Sequence, residues 1–153
     1  MFGFKKKKAG PKILEYQNIR LDCVAKDKEQ VIDEIGQILV DSGYVGESYI
    51  DAMHRRELSF PTNIGNGIAL PHGVEEAKKE IRRSGIAVMV FPQGTLWGDE
   101  LVKLVIGIAG VGEDHLEILS IIADRLAEPG AVDQIAASSQ EEIYKVFTGA
   151  KTG

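Results

Sequence analysis

Two short apolar runs stand out in the hydrophobic and polar pattern along the second half of the chain. Residues 85–92 and 101–109 are almost continuously hydrophobic, rich in Val and Ile, and bounded by glycine or proline. Runs of this length and composition are typical of β-strands that are covered on both faces. The latter half of residues 13–24 has the extended character of a first strand, and residues 93–99 form a predicted loop with room for a brief strand.

The first half of the chain shows the spacing of amphipathic helices. Asp27 and Gln30 resemble a capping box, and Gly43 is a typical C-terminal stop. The apolar residues between these signals recur at the helical period: Val31, Ile32, Ile35, Ile38 and Leu39. Ser48, with Asp51 three residues later, predicts the start of a second helix. The apolar residues of that helix are Tyr49, Ile50, Met53 and Leu58.

Further helices are predicted outside the two apolar runs. Asp114, with Glu117 as its capping partner, predicts the start of a long helix. Its apolar residues form one stripe with two isoleucines beside it: Leu116, Leu119, Ala123 and Leu126, with Ile118 and Ile122. Two shorter helices are predicted at residues 131–137 and 139–148, and residues 75–83 are expected to form a short surface helix or turn.

Strands that are preceded, separated and followed by helices imply a single sheet with helices on both of its faces. A chain of 153 residues is long enough for one domain with a substantial core. We therefore predict a single α/β domain with a mixed, mostly parallel β-sheet of about five strands. We place this domain at residues 13–149, after a flexible basic tail at residues 1–12 and before a frayed C-terminus at residues 150–153.

The net charge of −5 conceals an uneven distribution. Residues 1–12 carry five lysines and no acid, which leaves 13 basic and 23 acidic residues in the remainder. Nucleic acid is therefore not expected as a partner, because phosphate contacts need clusters of Lys and Arg. No stretch approaches the ~20 apolar residues of a membrane helix, and the single cysteine, Cys23, excludes an internal disulfide framework. We expect a cytoplasmic protein without direct membrane insertion.

The segment of residues 61–73 is the strongest candidate for chemistry. Two glycines bracket a polar residue, a short apolar run follows, and His72 stands between Pro71 and Gly73. This pattern predicts a turn, a short buried strand and an imidazole at the end of the strand. His115 follows the apolar run 101–109 in a similar way. Ligand sites of open α/β sheets lie beyond the carboxyl ends of strands, so the two imidazoles would meet at one rim if their strands were parallel neighbours.

Other kinds of site have weaker support. Two histidines without a third ligand, or without a helical HxxxH spacing, make a weak zinc site, and we predict neither a metal nor a cofactor. The chain contains no GxSxG, P-loop or GxGxxG motif. Arg56 ends the second predicted helix just before residues 61–73. A cation at a helix C-terminus is favourable in any protein, and an arginine there also suits anion recognition, because guanidinium pairs bidentately with phosphate.

These residues resemble the signature of a known family. Arg56-Glu57, followed by Gly65-Asn66-Gly67-Ile68-Ala69-Leu70-Pro71-His72-Gly73, is similar to the motif of enzyme IIA domains of the mannitol/fructose type. These domains belong to the bacterial phosphoenolpyruvate-dependent sugar phosphotransferase system. The resemblance extends over residues 16–147, nearly the whole predicted domain. The segments 49–53, 104–109 and 114–116, the last of which contains His115, resemble the mannitol branch most closely.

The resemblance implies a phosphocarrier without a cofactor. His72 would accept a phosphoryl group from the phosphohistidine of the carrier protein HPr, at Nε2, and pass it to a cysteine of enzyme IIB. Enzyme IIB would act with or without the membrane component IIC. Arg56 would face the phosphoryl oxygens, and His115 would bond to the phosphoryl group or shape the site. The same motif makes three further residues candidates for binding the phosphoryl group or shaping its site: Asn66, Gly67 and Gly73.

An alternative within the same fold is a regulatory protein of the nitrogen branch, which acts by binding partners according to its phosphorylation state. His115 distinguishes the two, because the resemblance places a second histidine in the mannitol branch and not in the nitrogen branch. A metal-binding module built on the two histidines is a third and weaker hypothesis.

Overall fold

The computed structural model describes residues 13–149, and the predicted tail at 1–12 and C-terminus at 150–153 lie outside this range. Within it, one strand is followed by two α-helices, then by four strands, and finally by three α-helices. The strands are β1 (Ile19–Arg20), β2 (Asn63–Gly65), β3 (Ile68–Ala69), β4 (Gly85–Trp97) and β5 (Glu100–Ala109). The α-helices are α1 (Lys28–Asp41), α2 (Ser48–Ser59), α3 (Gly112–Leu126), α4 (Ala131–Ala136) and α5 (Gln140–Thr148). Two 3₁₀-helices complete the structure, at Tyr16–Asn18 and Glu75–Glu80.

The five strands form one mixed sheet in the order β1-β4-β5-β3-β2. β1 pairs with β4 and β3 pairs with β5 in parallel, whereas β4 with β5 and β2 with β3 are antiparallel. The predicted single α/β domain with a five-stranded mixed sheet is confirmed. The pair β3 and β5 matters most for the site, because both strands run towards the same edge of the sheet.

Each face of the sheet is covered by its own set of helices. Successive residues of β4 point to opposite faces, so that Ala87 and Met89 enter one core and Val88 and Val90 enter the other. The first core contains the buried residues of α1 and α2, and the second contains those of α3, α4 and α5. The nearly continuous apolar runs in the sequence are the consequence of this two-sided burial.

The prediction of a loop at residues 93–99 is wrong for most of that segment. β4 continues to Trp97 and returns through Gly98 and Asp99 to β5, with Trp97 opposite Glu100. Gly98 has a φ of 66°, which a two-residue hairpin turn requires. The hairpin residues do not show a simple alternation of polar and apolar positions, because the register shifts between Val90 and Thr95.

The predicted start of the long helix is also corrected. α3 begins at Gly112 rather than at Asp114, and its N-cap is Val111, whose side chain makes no capping hydrogen bond. Its buried residues are Ile118, Ile122 and Leu126, whereas Leu116 is 67% exposed. Leu58 of α2 is similarly 86% exposed. Both helices carry more apolar residues than one face can hold, so packing on the sheet decides which of them are buried.

None of the helices within residues 13–149 is both long enough and apolar enough to span a membrane.

Candidate functional site

His72 lies just beyond the end of β3, beside the last residues of β5. Its backbone forms a parallel bridge with Ile108, whose amide donates a hydrogen bond to the carbonyl of Pro71 at 3.0 Å. β3 and β5 are parallel neighbours, and α3, which carries His115, begins three residues after β5. The strands that lead to His72 and His115 are therefore parallel neighbours, which was the condition for the two imidazoles to meet at one rim.

The imidazole of His72 is held in a defined orientation. Its Nδ1 lies 2.8 Å from the carbonyl oxygen of Leu70. A carbonyl can only accept a hydrogen bond, so Nδ1 carries the proton and Nε2 retains its lone pair. Among residues 13–149, Nδ1 of His115 is the single buried side-chain nitrogen or oxygen that lacks a partner. Nε2 of His72 makes no hydrogen bond to any of the described residues and is not in this buried class, so it keeps some exposure to solvent.

The ring of His115 lies beside the ring of His72, with their centroids 6.3 Å apart and their planes inclined at 57°. The buried Nδ1 of His115 packs close to the backbone of Gly110. A Cβ atom at Gly110 would lie 2.9 Å from Cα and 3.1 Å from Nδ1 of His115. The absence of a side chain at Gly110 thus allows the first turn of α3 to bring its imidazole up to His72.

Both imidazoles are biased towards the neutral form. The pKa of His72 is lowered, mainly by burial and also by the positive charges of Arg56 and Lys78, while the Leu70 carbonyl and Glu57 act in the opposite direction. The pKa of His115 is lowered by burial first, and then by Lys78 and by His72. A neutral imidazole has a lone pair available for attack, so at neutral pH this environment favours a nucleophilic His72.

Arg56 lies in the last turn of α2, near enough to His72 for its charge to act on the imidazole. Its Nη1 donates a hydrogen bond to the carbonyl of Phe60 at 2.6 Å, which anchors the guanidinium at the end of the helix. Arg55, the preceding residue, instead forms an ion pair with Asp51 on the same helix at 3.1 Å. The two imidazoles are therefore neighbours, and of the two arginines it is Arg56 whose charge acts on His72.

A buried carboxylate fixes the segment that follows Arg56. Glu57 is 6% exposed and accepts hydrogen bonds from the Thr62 amide at 3.0 Å, the Thr62 hydroxyl at 2.6 Å and the Trp97 indole at 2.9 Å. Lys28 lies 3.5 Å from the same carboxylate. Trp97 therefore acts as a packing anchor, and its bond to Glu57 ties the end of α2 to the β4–β5 hairpin.

Gly73 shapes the site through a close contact that sequence reasoning did not identify. Its amide donates to the hydroxyl of Tyr49 at 2.9 Å, and a Cβ atom at Gly73 would lie 2.6 Å from Cε1 of that ring. Only glycine fits between the ring and the backbone at this position. The signal for Tyr49 was present in the sequence, since a tyrosine on the core face of a helix needs a partner for its hydroxyl.

Asn66 and Gly67 lie apart from His72 in the structure. With φ values of 58° and 76° they form the turn between β2 and β3, which is the conformation that an Asn-Gly pair favours. The carbonyl of Gly67 accepts from the amides of Lys103 and Leu104, near the start of β5. His72 lies five extended residues further along, or about 16 Å away. A phosphoryl-binding role for Asn66 and Gly67 is not supported by this placement, and their residue types are explained by the turn.

Within the described range 13–149, no group of three or more His, Cys, Asp or Glu side chains is placed to hold a metal ion.

The site thus consists of two neighbouring imidazoles at the edge of an α/β sheet, and the charge of an arginine acts on one of them. A neutral imidazole in a fixed orientation beside a cation is an arrangement suited to reaction with an anionic group. Comparison with known proteins places the chain in a family. Residues 12–149 match the family model described as "Phosphoenolpyruvate-dependent sugar phosphotransferase system, EIIA 2". The chain belongs to this family.

Individual relatives and one solved structure agree with that assignment. The chain is 46% identical over 137 residues to the mannitol-specific phosphotransferase enzyme IIA component of Geobacillus stearothermophilus, covering 88% of this chain and 94% of the relative. It is 45% identical over 131 residues to the component of the same name from Staphylococcus aureus, covering 85% and 91%. The solved complex of mannitol enzyme IIA with phosphorylated mannitol enzyme IIB from Escherichia coli matches with a TM-score of 0.82 and 33% identity, covering 90% of this chain and 98% of that one.

Proposed function

We propose that this protein is a phosphocarrier that receives a phosphoryl group on Nε2 of His72 from phospho-HPr and passes it to a cysteine of an enzyme IIB. The observation that carries the proposal is the hydrogen bond from Nδ1 of His72 to the Leu70 carbonyl, because it places the proton on Nδ1 and leaves the lone pair on Nε2. Membership of the EIIA 2 family supplies the reaction class.

The phosphoryl group is transferred twice, to His72 and then to enzyme IIB, and neither transfer requires the proton on Nδ1 to move. In the first, the lone pair of Nε2 forms a bond to phosphorus, and the bond from phosphorus to the HPr imidazole breaks with its electron pair returning to that nitrogen. In the second, the thiolate of enzyme IIB forms a bond to phosphorus and the bond from Nε2 breaks. Nδ1 keeps its proton and its bond to Leu70 throughout. His72 therefore returns to its starting state as a neutral imidazole.

The charges around His72 suit a group that carries about two negative charges. Arg56 offers a guanidinium that can pair with phosphoryl oxygens, and Lys78 adds a second positive charge near both imidazoles. The first turn of α3 directs backbone amides towards the same edge, where anions are favoured. His115 places a second imidazole beside His72, with the ring centroids 6.3 Å apart. Since phosphoryl transfer depends mainly on positioning and charge stabilisation, these groups support the proposal.

Mannitol is the sugar that we assign to this carrier, and the cytoplasm is its expected location. The assignment rests on the mannitol-specific relatives at 45–46% identity and on the presence of His115, which the nitrogen branch lacks by family resemblance. Transfer to the purified enzyme IIB for mannitol should be faster than transfer to the enzyme IIB for fructose. The opposite order would reject mannitol while leaving the phosphocarrier function intact.

The function is tested by labelling the full chain with phosphoenolpyruvate, enzyme I and HPr. The wild-type protein should take up one acid-labile phosphate, as expected for phosphohistidine, and His72→Ala should take up none. His115→Ala serves as the matched control, since it removes the other imidazole of the site and should still be labelled, with slower onward transfer to enzyme IIB. Labelled His72→Ala would show that another residue accepts the phosphoryl group.

A further inference from the structure

The hydroxyl of Tyr49 connects the segment that carries His72 to the end of the neighbouring strand. Tyr49 lies in the first turn of α2 and is only 2% exposed. Its hydroxyl accepts a hydrogen bond from the Gly73 amide at 2.9 Å and donates one to the Ile108 carbonyl at 3.0 Å. The roles are unambiguous, because an amide can only donate and a carbonyl can only accept.

Both partners of this hydroxyl are direct neighbours of His72. Gly73 follows it in the chain, and Ile108 faces it across the bridge between the ends of β3 and β5. The amide of Ile108 already binds the carbonyl of Pro71 at 3.0 Å. The peptides before and after His72 are therefore both held by Ile108, the first directly and the second through Tyr49.

The aromatic ring of Tyr49 makes a separate packing contact that does not depend on the hydroxyl. The ring lies so close to Gly73 that a Cβ atom there would come within 2.6 Å of Cε1. Val74, one residue further along, donates a hydrogen bond to the carbonyl of Ala52 in α2 at 3.3 Å. Replacing Tyr49 by phenylalanine removes the two hydroxyl bonds and retains these contacts.

We propose that Tyr49 is a positioning residue for phosphoryl transfer, an inference that rests on the phosphocarrier function proposed above. By holding Gly73, the hydroxyl keeps the backbone of His72 in the conformation in which Nδ1 reaches the Leu70 carbonyl and Nε2 faces the incoming phosphorus. Without it, the Gly73 amide and the Ile108 carbonyl lose a shared partner. The imidazole then gains orientations and tautomers in which Nε2 is turned away or protonated.

The test compares Tyr49→Phe with Tyr44→Phe in the full chain. Tyr44 is a matched control, because it is also fully buried and its hydroxyl bonds to Asn18 and to the Ile13 carbonyl at 3.4 and 3.5 Å, away from His72. At saturating phospho-HPr, Tyr49→Phe should be labelled about ten- to a hundredfold more slowly, the effect of a small misplacement of a reacting group. The KM for phospho-HPr should change by less than about twofold, because the hydroxyl lies behind the accessible surface. Tyr44→Phe should match the wild type.

A spectroscopic measurement separates positioning from a general loss of stability. In ¹⁵N NMR, His72 of the wild type and of Tyr44→Phe should show a single tautomer protonated at Nδ1, and Tyr49→Phe should show a mixture. Hydrogen exchange tests the bond between the Gly73 amide and the Tyr49 hydroxyl in the wild type, without any variant. The Gly73 amide should exchange far more slowly than the amide of Gly98, which lies in the exposed hairpin turn.

The possible results lead to different conclusions. An unlabelled wild type overturns both the phosphocarrier function and the role of Tyr49. If the wild type is labelled and Tyr49→Phe matches it in both the labelling rate and the tautomer of His72, the positioning role alone is overturned. A slow Tyr49→Phe with an unchanged His72 tautomer also overturns it, as does a Gly73 amide that exchanges as fast as that of Gly98.

Discussion

Two adjacent arginines, Arg55 and Arg56, show how one residue acquires a function that its neighbour lacks. Arg55 points along the surface of α2 to its ion pair with Asp51. Arg56 is anchored by the Phe60 carbonyl, and its charge acts on His72. The two side chains are chemically identical, so their different surroundings provide an internal comparison for the role of charge in the site.

Arg56→Gln is expected to slow phosphoryl transfer by about ten- to a hundredfold, whereas Arg55→Gln should leave the rate nearly unchanged. The loss corresponds to one charge-assisted hydrogen bond, about 1.5–3 kcal/mol, felt in the transition state. Single-turnover rates with phospho-HPr and with enzyme IIB measure each half-reaction. Equal rates for the two variants in both half-reactions would remove Arg56 from the site.

At the level of secondary-structure elements, Glu57 joins α2, the loop before β2 and the β4–β5 hairpin. Its carboxylate accepts from Thr62 and Trp97, which are buried and belong to different elements. The same carboxylate lies one residue after Arg56, so these bonds also fix the end of the helix from which the guanidinium projects. A buried polar group of this kind stabilises the fold only while its partners are satisfied.

Glu57→Ala should lower the free energy of unfolding by at least about 1–3 kcal/mol, because it leaves buried donors without an acceptor. Glu57→Gln should cost less, since its amide oxygen still accepts and its NH₂ group can donate to the Thr62 hydroxyl. Urea denaturation measures both, with Glu117→Ala on the exposed surface of α3 as a control that should change stability by less than about 0.5 kcal/mol. An Ala variant as stable as the Gln variant would show that the hydrogen bonds of Glu57 contribute little.

For the molecule as a whole, the two partly buried imidazoles couple folding to pH. The pKa values of His72 and His115 are both lowered in the folded protein, mainly by burial. The unfolded chain has histidines with a pKa near the ordinary value of about 6.5. As pH falls below that value, the unfolded state binds protons before the folded state does, so the free energy of unfolding decreases. When the pH is more than about one unit above that value, both states are nearly neutral at these positions and this contribution is close to constant.

Urea denaturation at pH 7.5, 6.5 and 5.5 should therefore show a loss of stability towards acid pH. His72→Asn should lose less between pH 7.5 and 5.5 than the wild type, because one of the two linked groups is gone. His54→Gln removes a histidine outside the site, paired with Asp33 at 2.6 Å, and the contribution of His72 should persist in it. An identical pH dependence in His72→Asn and the wild type would contradict the linkage.

Much of the architecture was determined by local sequence. The apolar runs predicted β4 and β5 because strands covered on both faces need hydrophobic residues at every position. Asp27 and Gln30 marked the start of α1, where Gln30 accepts from the Asp27 amide at 3.1 Å. The proline and glycine around His72 predicted an imidazole at the end of a strand, and the structure places it there.

Tertiary packing decided what local patterns leave open. Leu116 and Ile118 are equally apolar, and only the rotation of α3 against the sheet determined that Leu116 is exposed and Ile118 is buried.

Asn66 and Gly67 belong to the same motif as His72, yet they lie at the opposite end of β3, because each residue of an extended chain adds about 3.3 Å to the separation. Tyr49 and Gly73 lie 24 positions apart in the chain and meet only when α2 packs beside the end of β3. The sequence by itself determined which residues could perform the chemistry, and the packing of helices on the sheet decided which of them meet, because contacts between distant segments depend on the whole fold.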